Sequence, residues 1–280
     1  MKLLTLMEDT AGEAAVKGEH GLSFYIETEQ HRLLMDTGAS DLTWENAEKL
    51  GVDLESIDTV IISHGHYDHA GGLLGFARKN PDAQIYMQAS AGGDYFHRDR
   101  YIGIDKEILR LPQLHLLEGD YRIDEELQLF SGILGRRLWP ESNLALSEKI
   151  DNARVQDQFL HEQCLVVCSG DTKILLSGCA HNGILNILSR FESIYHAYPD
   201  VVISGFHMMK KTDYTEAESN NIKETAHELK LLPTHFYTGH CTGQKAFDLM
   251  KQILGQQLHQ IHAGDVLSQS DKTPTSASGE

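Results

Sequence analysis

The 280-residue sequence is poor in cations: 24 lysine and arginine residues stand against 41 aspartate and glutamate residues, giving a formal net charge of −17. Nucleic-acid-binding proteins need a basic surface to replace the counterions of phosphate, so this balance argues against that class. No apolar run approaches the roughly 20 residues that span a bilayer. The first nine residues turn acidic too early for a signal peptide. We therefore expect a cytoplasmic protein with no nucleic-acid or membrane partner.

Cysteine and proline are also scarce, with four and six residues. Four cysteines do not make a disulfide framework in a chain that is long enough to bury a core without cross-links. Cys164 and Cys168 lie at even spacing in one apolar run, so we expect them on one strand face in the core. Cys179 and Cys241 each stand close to a histidine. Histidine itself is abundant, with 16 residues, and several of them form patterned clusters.

Hydrophobic patterning predicts an α/β protein with one domain over residues 1–267. Several segments alternate apolar and polar residues at the strand period of two, or form short β-branched runs. The predicted strands are 3–7, 22–27, 31–35, 57–63, 84–87, 163–168, 173–177, 200–204, 234–238 and 259–263. The predicted helices are 41–50, one that ends at 79, 183–195, 216–229 and 246–254. The chain is polar from Ser268 onward, so we expect a disordered tail over 268–280.

The stretch 90–160 is less regular than the rest of the sequence, and long irregular segments in compact domains tend to be functional. We expect it to form the wall that selects the substrate. Its candidate substrate contacts are Tyr95, His97, Tyr101, Arg136 and Arg137. The two arginines can bind a phosphate bidentately; the alternative is that they are solvated surface charges.

Four potential metal ligands fall within six residues: His64, His66, Asp68 and His69. The run follows a predicted buried strand, so the strand end places the first three on one side and the next turn brings His69 round. Neutral imidazole and carboxylate suit zinc, iron or manganese. Two histidines can bind one cation and the Asp-His pair a second. The pattern favours a metal centre over the alternative of a histidine-rich surface loop.

The segment from His64 to His69 resembles the His-x-His-x-Asp-His signature of the metallo-β-lactamase superfamily. Further motifs resemble the branch of 7,8-dihydropterin-6-yl-methyl-4-(β-D-ribofuranosyl)aminobenzene 5′-phosphate synthase-like proteins. These motifs are Glu19–Ser23, Asp36–Gly38, Tyr101–Ile104, Gly178–Ile184, Gly205–His207 and Gly239–Gly243. The resemblance implies a four-layer αβ/βα sandwich, with the metals at one edge between the two sheets.

The resemblance also implies the remaining ligands. His240 matches the last metal histidine of the superfamily, whereas the side chain of Cys241 is expected to point away from it and pack. The usual Gly-His-Thr motif is absent, and His161-Glu162-Gln163 takes its place. Glu162 is therefore expected either to bind a metal or to support a residue that does.

The superfamily usually carries a metal-bridging aspartate in a Ser-Gly-Asp sequence where this chain has Cys179. His181 follows two residues later. We expect His181 to be a ligand and Cys179 to be the weaker candidate. A nearby Ser-Gly-Asp sequence contains Asp171, but its segment joins two strands as a hairpin turn, so we expect its side chain in solvent.

Further residues are expected to act beside the ligands. Asp68 is placed to bind a metal and to accept a hydrogen bond from the attacking water. His207 follows a predicted strand and is a candidate general acid or anion contact, with a satisfied core histidine as the alternative. His20 and Asp36 are expected to orient ligand imidazoles through hydrogen bonds.

Two cations lower the pKa of a shared water towards neutrality and hold the attacking and leaving oxygens. We therefore predict a metal-dependent hydrolase that cleaves a small anionic, phosphorylated ester through a metal-bound hydroxide. The expected cofactors are two divalent metal ions, zinc first, with iron or manganese as alternatives. His66 stands where redox di-iron relatives of the fold carry a glutamate, which favours hydrolysis or group transfer over redox chemistry.

Two other functions stay open. The resemblance implies a transferase that condenses a dihydropterin pyrophosphate with a ribofuranosylaminobenzene phosphate. A non-catalytic metal-sensing or ligand-binding module is a third class, and the intact ligand set argues against it. The sequence leaves the oligomeric state open, including a homodimer.

Overall fold

The computed structural model of the protein describes residues 1–12, 15–151 and 153–267. The tail expected to be disordered, 268–280, lies outside these residues. The strands, in chain order, are β1 (Lys2–Met7), β2 (Ser23–Glu27), β3 (Arg32–Met35), β4 (Thr59–Ile61), β5 (Gln84–Gln88), β6 (Tyr95–His97), β7 (Arg100–Tyr101), β8 (Leu114–Leu117), β9 (Tyr121–Arg122), β10 (Leu127–Phe130), β11 (Leu146–Ile150), β12 (Ala153–Gln156), β13 (Cys164–Ser169), β14 (Thr172–Leu176), β15 (Val201–Ile203), β16 (His235–Thr238), β17 (Leu258–Gln260) and β18 (Val266–Leu267). The α-helices are α1 (Leu42–Lys49), α2 (Tyr67–Ala70), α3 (Leu73–Lys79), α4 (Ile184–Tyr195), α5 (Glu216–Lys230) and α6 (Gln244–Leu254).

Two seven-stranded sheets form the centre of the fold. The first has the strand order β18-β1-β2-β3-β4-β5-β8 and the second β17-β16-β15-β14-β13-β10-β9. Each sheet combines three antiparallel pairings with three parallel ones. The parallel strands are short and apolar, as expected of strands that are covered on both faces.

Helices cover the outer face of each large sheet and give the predicted four layers. Helices α1 and α3 pack on the first sheet through a core that includes Trp44 and Phe76. Helices α4, α5 and α6 pack on the second sheet around Phe191. A third apolar cluster, which includes Phe24, fills the space between the two sheets. No helix in the described ranges is long and apolar enough to cross a membrane.

Neighbouring strand residues enter different layers because side chains alternate across a sheet. In β3, Leu33 lies in the core between the sheets, whereas Leu34 packs under the helices of the first sheet. In β14, Leu176 lies between the sheets and Leu175 faces the helices of the second sheet. The period-two pattern therefore encodes both faces of each sheet.

A smaller sheet of four strands, in the order β12-β11-β6-β7, stands beside the sandwich. Its strands come from the two ends of the stretch 90–160. The interpretation of this stretch as one irregular wall is wrong in its middle, because β8 joins the first large sheet and β9 and β10 join the second. Strand β10 has the alternating pattern of a core strand, with Leu127 and Leu129 buried between the sheets.

The packing between the sheets predicts a large loss of stability on truncation of Phe24, whose side chain is fully buried there. We expect Phe24→Ala to lower the free energy of unfolding by about 3–5 kcal/mol, measured by urea denaturation. Leu231→Ala is the control because Leu231 is 83% exposed; its effect should stay within about 0.5 kcal/mol. Equal effects of the two substitutions would contradict the two-sheet core.

Candidate metal centre

The candidate site lies where parallel strands of both large sheets end. The run from His64 to His69 follows β4, and Cys179 and His181 follow β14. His207 comes after β15 and His240 after β16. Ligand sites in α/β proteins form at the carboxyl ends of parallel strands, because the loops there meet at one edge. Tertiary structure therefore gathers residues that are up to 176 positions apart in the sequence, from His64 to His240.

The six predicted ligands converge in two neighbouring groups. Ligand atoms of His64, Cys179 and His181 lie within 4.8 Å of one another, and the same is true of His69, Cys179 and His240. The ring of His66 lies 4.6 Å from that of His64 and 4.8 Å from that of His181, between centroids. The carboxylate of Asp68 belongs to the second group, because its Oδ2 lies 3.4 Å from His240 Nε2 and 3.8 Å from His69 Nε2.

Four buried imidazoles leave a ring nitrogen without a hydrogen-bond partner. The unpaired atom is Nε2 in each case, in His64, His66, His181 and His240. An unsatisfied buried polar atom costs about 1–3 kcal/mol. Burial holds the pKa of His64 and His181 well below its usual range and lowers that of His66 to about 3. Neutral imidazoles such as His64, His66 and His181, with free nitrogens, are donors that fit divalent metal ions.

The Asp36 carboxylate fixes two of the ligand histidines. Its Oδ2 accepts a hydrogen bond from His69 Nδ1 at 2.6 Å and one from Ser63 Oγ at 2.7 Å. Because Ser63 Oγ gives its proton to Asp36, it accepts the Nδ1 proton of His64, at 2.8 Å. Both histidines therefore turn Nε2 towards the site, as metal-binding histidines with such partners do. This placement agrees with the orienting role expected of Asp36.

Asp9 orients histidines in the same way on the opposite side of the site. The sequence analysis did not predict a role for it. Its Oδ1 lies 2.5 Å from His240 Nδ1 and its Oδ2 lies 2.9 Å from His20 Nδ1. His20 Nε2 lies 3.4 Å from Asp68 Oδ2, so His20 stands at the edge of the second group. Burial raises the pKa of Asp9, but the hydrogen bonds to the two histidines outweigh it and hold that pKa below its usual range. The sequence contained a signal for this role, because Asp9 follows the buried strand β1 closely, as Asp36 follows β3.

Glu162 supports the loop that carries His181 and does not face the metal groups. Its two carboxylate oxygens accept the backbone N–H groups of His181, at 2.6 Å, and Asn182, at 3.0 Å. Of the two alternatives for Glu162, the structure favours the supporting role, because it holds this loop and belongs to none of the close ligand groups among the described residues. The ring of His181 is oriented instead by Asn143, whose Oδ1 lies 3.0 Å from Nδ1.

His161 lies where the superfamily usually has the Gly-His-Thr motif. Both of its ring nitrogens have hydrogen-bond partners. Nδ1 accepts the N–H of Gly65 at 3.0 Å, and Nε2 lies 3.1 Å from Asp157 Oδ2. The His161–Asp157 pair is completely buried and holds the first turn of the His64–His69 run. It thus forms part of the wall behind His66, whose ring lies 5.3 Å from that of His161.

The two cysteines near the site lie together. Cys179 Sγ is common to both ligand groups and lies 3.2 Å from His69 Nε2. The sequence predicts that Cys241 packs and points away from His240. Its side chain is buried, and its Sγ forms a further close group with Cys179 and His207. The residue lies in the short 3₁₀ turn His240–Thr242. The geometry favours Cys179 as a ligand more strongly than the sequence did.

Four residues around the site adopt left-handed backbone conformations. Asp36, Ala180, His207 and His240 have φ between 47° and 62°. Such conformations cost a non-glycine residue of the order of 1–3 kcal/mol each and cluster at functional sites. Close approach adds a further constraint, because a Cβ at Gly178 would collide with Ser63 Oγ. The loops that carry the ligands are therefore held in place by the surrounding fold.

His207 stands over the first ligand group. Its ring lies 4.1 Å from that of His181, and its Nδ1 has no hydrogen-bond partner. Its backbone N–H donates to Cys241 Sγ at 3.3 Å. The side chain is half-buried and lines the pocket, so the alternative of a satisfied core histidine is wrong.

The site opens into a pocket of about 1520 Å³ whose floor contains Asp68, Cys179 and His181. The predicted arginine contacts do not line it. Arg137 pairs with Glu228 at 2.8 Å, and Arg136 donates to Asn182 and Gln158. Both lie outside the small sheet that forms the wall, so the phosphate-binding role expected of them is wrong.

Among the three other predicted contacts of the 90–160 stretch, only His97 lines the pocket. Tyr95 is buried behind the wall, where its ring lies 4.0 Å from that of His161. Tyr101 is partly exposed and donates to the carbonyl oxygen of Ile104 at 3.1 Å.

Comparisons with known proteins agree with this fold. Residues 16–125 match the family model described as the metallo-β-lactamase superfamily. The chain is 29% identical over 292 residues to the 7,8-dihydropterin-6-methyl-4-(β-D-ribofuranosyl)-aminobenzene-5′-phosphate synthase of Methanocaldococcus jannaschii, covering 95% of this chain and 96% of that protein. It is 28% identical over 257 residues to an uncharacterized protein of the same organism, covering 90% and 94% of the two chains. The crystal structure of Tm1679, a metal-dependent hydrolase of the β-lactamase superfamily, is similar with a TM-score of 0.80 and 29% identity, covering 96% and 98%.

The four-layer sandwich and its histidine-rich edge define an α/β protein with a candidate metal site. The chain resembles the metallo-β-lactamase superfamily in sequence over residues 16–125 and in fold over nearly its whole length. Its similarity to the M. jannaschii synthase extends over nearly the whole of both chains.

The hydrogen bonds of Asp36 predict that it controls metal affinity without binding a metal. Asp36→Asn removes the charge that holds His69 and, through Ser63, His64. We expect metal affinity to fall by about 10–100-fold, as for other supporting partners of ligand histidines. Titration against a chromophoric chelator measures it. Asp171→Asn, on an exposed turn, is the control and should leave affinity unchanged; equal affinities in both variants would contradict the role of Asp36.

The position of Cys179 predicts thiolate ligation, which cobalt substitution reveals. Thiolate ligands favour soft metals and give intense near-ultraviolet absorption with Co²⁺. We expect Cys179→Ser to lose that absorption and to bind less metal, whereas Cys241→Ser keeps both. The opposite result would assign the ligand to Cys241. Retention of the absorption in both single variants and its loss in the double variant would show that either thiol suffices.

Proposed function

We propose that this protein is a metal-dependent hydrolase that cleaves a small anionic, phosphorylated ester. The observation that carries the proposal is the convergence of buried, unpaired imidazole nitrogens and the Asp68 carboxylate at the floor of an open pocket. A purely structural cluster would pair these nitrogens, because leaving them unpaired destabilises the fold. The similarity to Tm1679 supports the same reaction class.

The donor set supports two divalent ions, with zinc first. His64 and His181 would hold one ion, with His66 beside them. Asp68, His69 and His240 would hold the other, and Cys179 is placed to contact both. Imidazole, thiolate and carboxylate donors together are typical of zinc. Bound there, the ions would supply Lewis acidity and an activated water at neutral pH.

Asp68 is placed to accept a hydrogen bond from the attacking water, and His207 is placed to donate a proton to the leaving group. Burial raises the pKa of Asp68, but the neighbouring imidazoles His69 and His240 outweigh it, so the carboxylate stays ionised and can accept a hydrogen bond from the attacking water. The ring of His207 lines the pocket beside the first ligand group, and its Nδ1 atom is buried without a hydrogen-bond partner. In its protonated form it can deliver a proton to the leaving oxygen as the ester bond breaks. The products are then an acid and an alcohol.

A transferase is the second candidate, and its support is the 29% identity to a named synthase over 95% of this chain. The same site would promote loss of pyrophosphate from a dihydropterin pyrophosphate, with the amino nitrogen of a ribofuranosylaminobenzene phosphate in place of water as the attacking group. The two candidates share the metal ligands and differ in the second substrate. The size of the pocket, about 1520 Å³, accommodates either case.

The test begins with protein of measured zinc content and two substrates, bis(4-nitrophenyl) phosphate and 4-nitrophenyl phosphate. We expect turnover by the zinc-loaded protein, loss of at least 100-fold in kcat for Asp68→Asn, and a similar loss for His207→Gln at neutral pH. Asp171→Asn is the matched control for charge, since its carboxylate is exposed on a turn, and should keep the wild-type rate.

Pyrophosphate release separates the two candidates. Incubated with a dihydropterin pyrophosphate, a hydrolase releases phosphate or pyrophosphate with water alone, whereas a transferase requires the ribofuranosylaminobenzene phosphate. Loss of metal from His64→Ala and Asp68→Ala, with no turnover of any of these substrates by the wild type, would favour the metal-binding module instead.

A further inference from the structure

The pocket above the metal centre is lined by cations, in a chain whose net charge is −17. Five lysine and arginine side chains line it, against the three carboxylates of Asp68, Glu141 and Glu218. The cations are Arg98, Arg100, Arg154, Lys210 and Lys211. Since acidic residues outnumber basic ones in the whole chain, this local excess of positive charge marks a surface built for an anion.

Two of these cations are already neutralised by carboxylates. Lys210 pairs with Glu218 at 2.6 Å, and Arg154 pairs with Asp99 at 3.2 Å while its guanidinium lies 3.9 Å from the centre of the Phe96 ring. Each pair lies within one wall of the pocket, so these two charges are not available in full to a ligand.

The other three cations have no carboxylate within 4.0 Å in the described part of the chain. Arg100 donates only to the neutral hydroxyl of Tyr67, at 3.2 Å. Arg98 stands at the tip of the β6–β7 hairpin, and Lys211 lies on the opposite wall, in the loop after β15. The pKa of His97 is lowered by burial and by the charges of Arg98 and Arg100. The charges of His207 and Lys211 make smaller contributions in the same direction. The positive charges on the two walls therefore act on the same part of the pocket.

The hairpin has a fixed position relative to the metal groups. Gly103, just after β7, pairs with His66 in an isolated bridge, and the N–H of Tyr67 donates to the carbonyl of Ile102 at 2.9 Å. Arg100 precedes Gly103 by three residues, which is about 10 Å of extended chain. An anion bound by these cations would therefore lie on the order of 10 Å from the metal centre. Apolar side chains of the pocket wall, including Ile102, Leu146 and Met208, lie along the same pocket.

We infer that Arg98, Arg100 and Lys211 form a second anion subsite, which binds a terminal phosphate monoester on the far end of an extended substrate. This inference rests on the proposed function, because the scissile group of the same molecule would occupy the metal centre. Arginine side chains bind phosphate oxygens through charge-assisted, often bidentate hydrogen bonds. The substrate class is thus a small molecule with two anionic ends, joined by an apolar or aromatic spacer.

The test compares two probes that differ by one phosphate, hydroquinone bisphosphate and phenyl phosphate. Their dissociation constants are measured by calorimetry on zinc-loaded protein. If the wild type turns them over, His207→Gln is used as the background, because it lowers turnover and removes no metal ligand. We expect the bisphosphate to bind at least tenfold more tightly than phenyl phosphate. The triple variant Arg98→Gln/Arg100→Gln/Lys211→Gln should reduce that preference to less than about twofold, and Lys211→Gln alone should reduce it in part.

Arg78→Gln/Arg110→Gln/Lys223→Gln is the matched control, because it removes the same net charge from residues outside the pocket lining. It should keep the full preference. Zinc content and thermal midpoint are measured for every variant, so that unfolding or metal loss is distinguished from loss of the subsite.

Equal affinity of the wild type for the two probes, or an unchanged preference in the triple variant, would overturn the subsite. Tighter binding of a 5′-phosphorylated oligonucleotide than of the bisphosphate would overturn the small-molecule class. Failure of the proposed hydrolysis has a different signature, since zinc-loaded protein would then bind the probes with the expected preference and cleave no ester.

Discussion

The feature on which the rest of the structure depends is a set of buried imidazoles whose Nε2 atoms face one another without partners. Each such nitrogen costs about 1–3 kcal/mol, and left-handed backbone at Asp36, Ala180, His207 and His240 adds to that cost. The two large sheets, with their helices and the apolar layer between them, must outweigh this cost. Metal binding would recover it, so that stability and function depend on the same atoms.

Carboxylates and amides around the site decide what the imidazoles can do. Asp36, Asp9 and Asn143 each bind the Nδ1 side of a ligand histidine, directly or through Ser63. In every case the other nitrogen is left to face the centre. The three supporting residues come from different elements, which ties the geometry of the centre to the packing of both sheets. A change in any one of them would therefore alter the metal site without removing a ligand.

The floor and the walls of the pocket carry different kinds of groups. Its floor holds the donor atoms for metal, while its walls carry positive charge from the β6–β7 hairpin and the loop after β15. An overall charge of −17 repels anions from most of the surface, which makes the cationic wall the place where the proposed anion subsite lies. The small sheet that carries this wall is anchored to His66 through Gly103, so a fixed backbone contact connects the proposed subsite to the candidate metal centre.

The sequence by itself determined the elements whose signals are local. Strand alternation, the hairpin turn at Asp171 and the four candidate ligands from His64 to His69 all depend on neighbours within a few residues, and the resemblance to a known family supplied the layer architecture. Only the tertiary structure decided which distant groups meet. Asp9 joined the site, whereas Glu162, Arg136 and Arg137 proved to be engaged elsewhere. Hydrogen-bond partners and pocket lining depend on how loops from several strands pack at one edge, and no local pattern in the sequence encodes that packing.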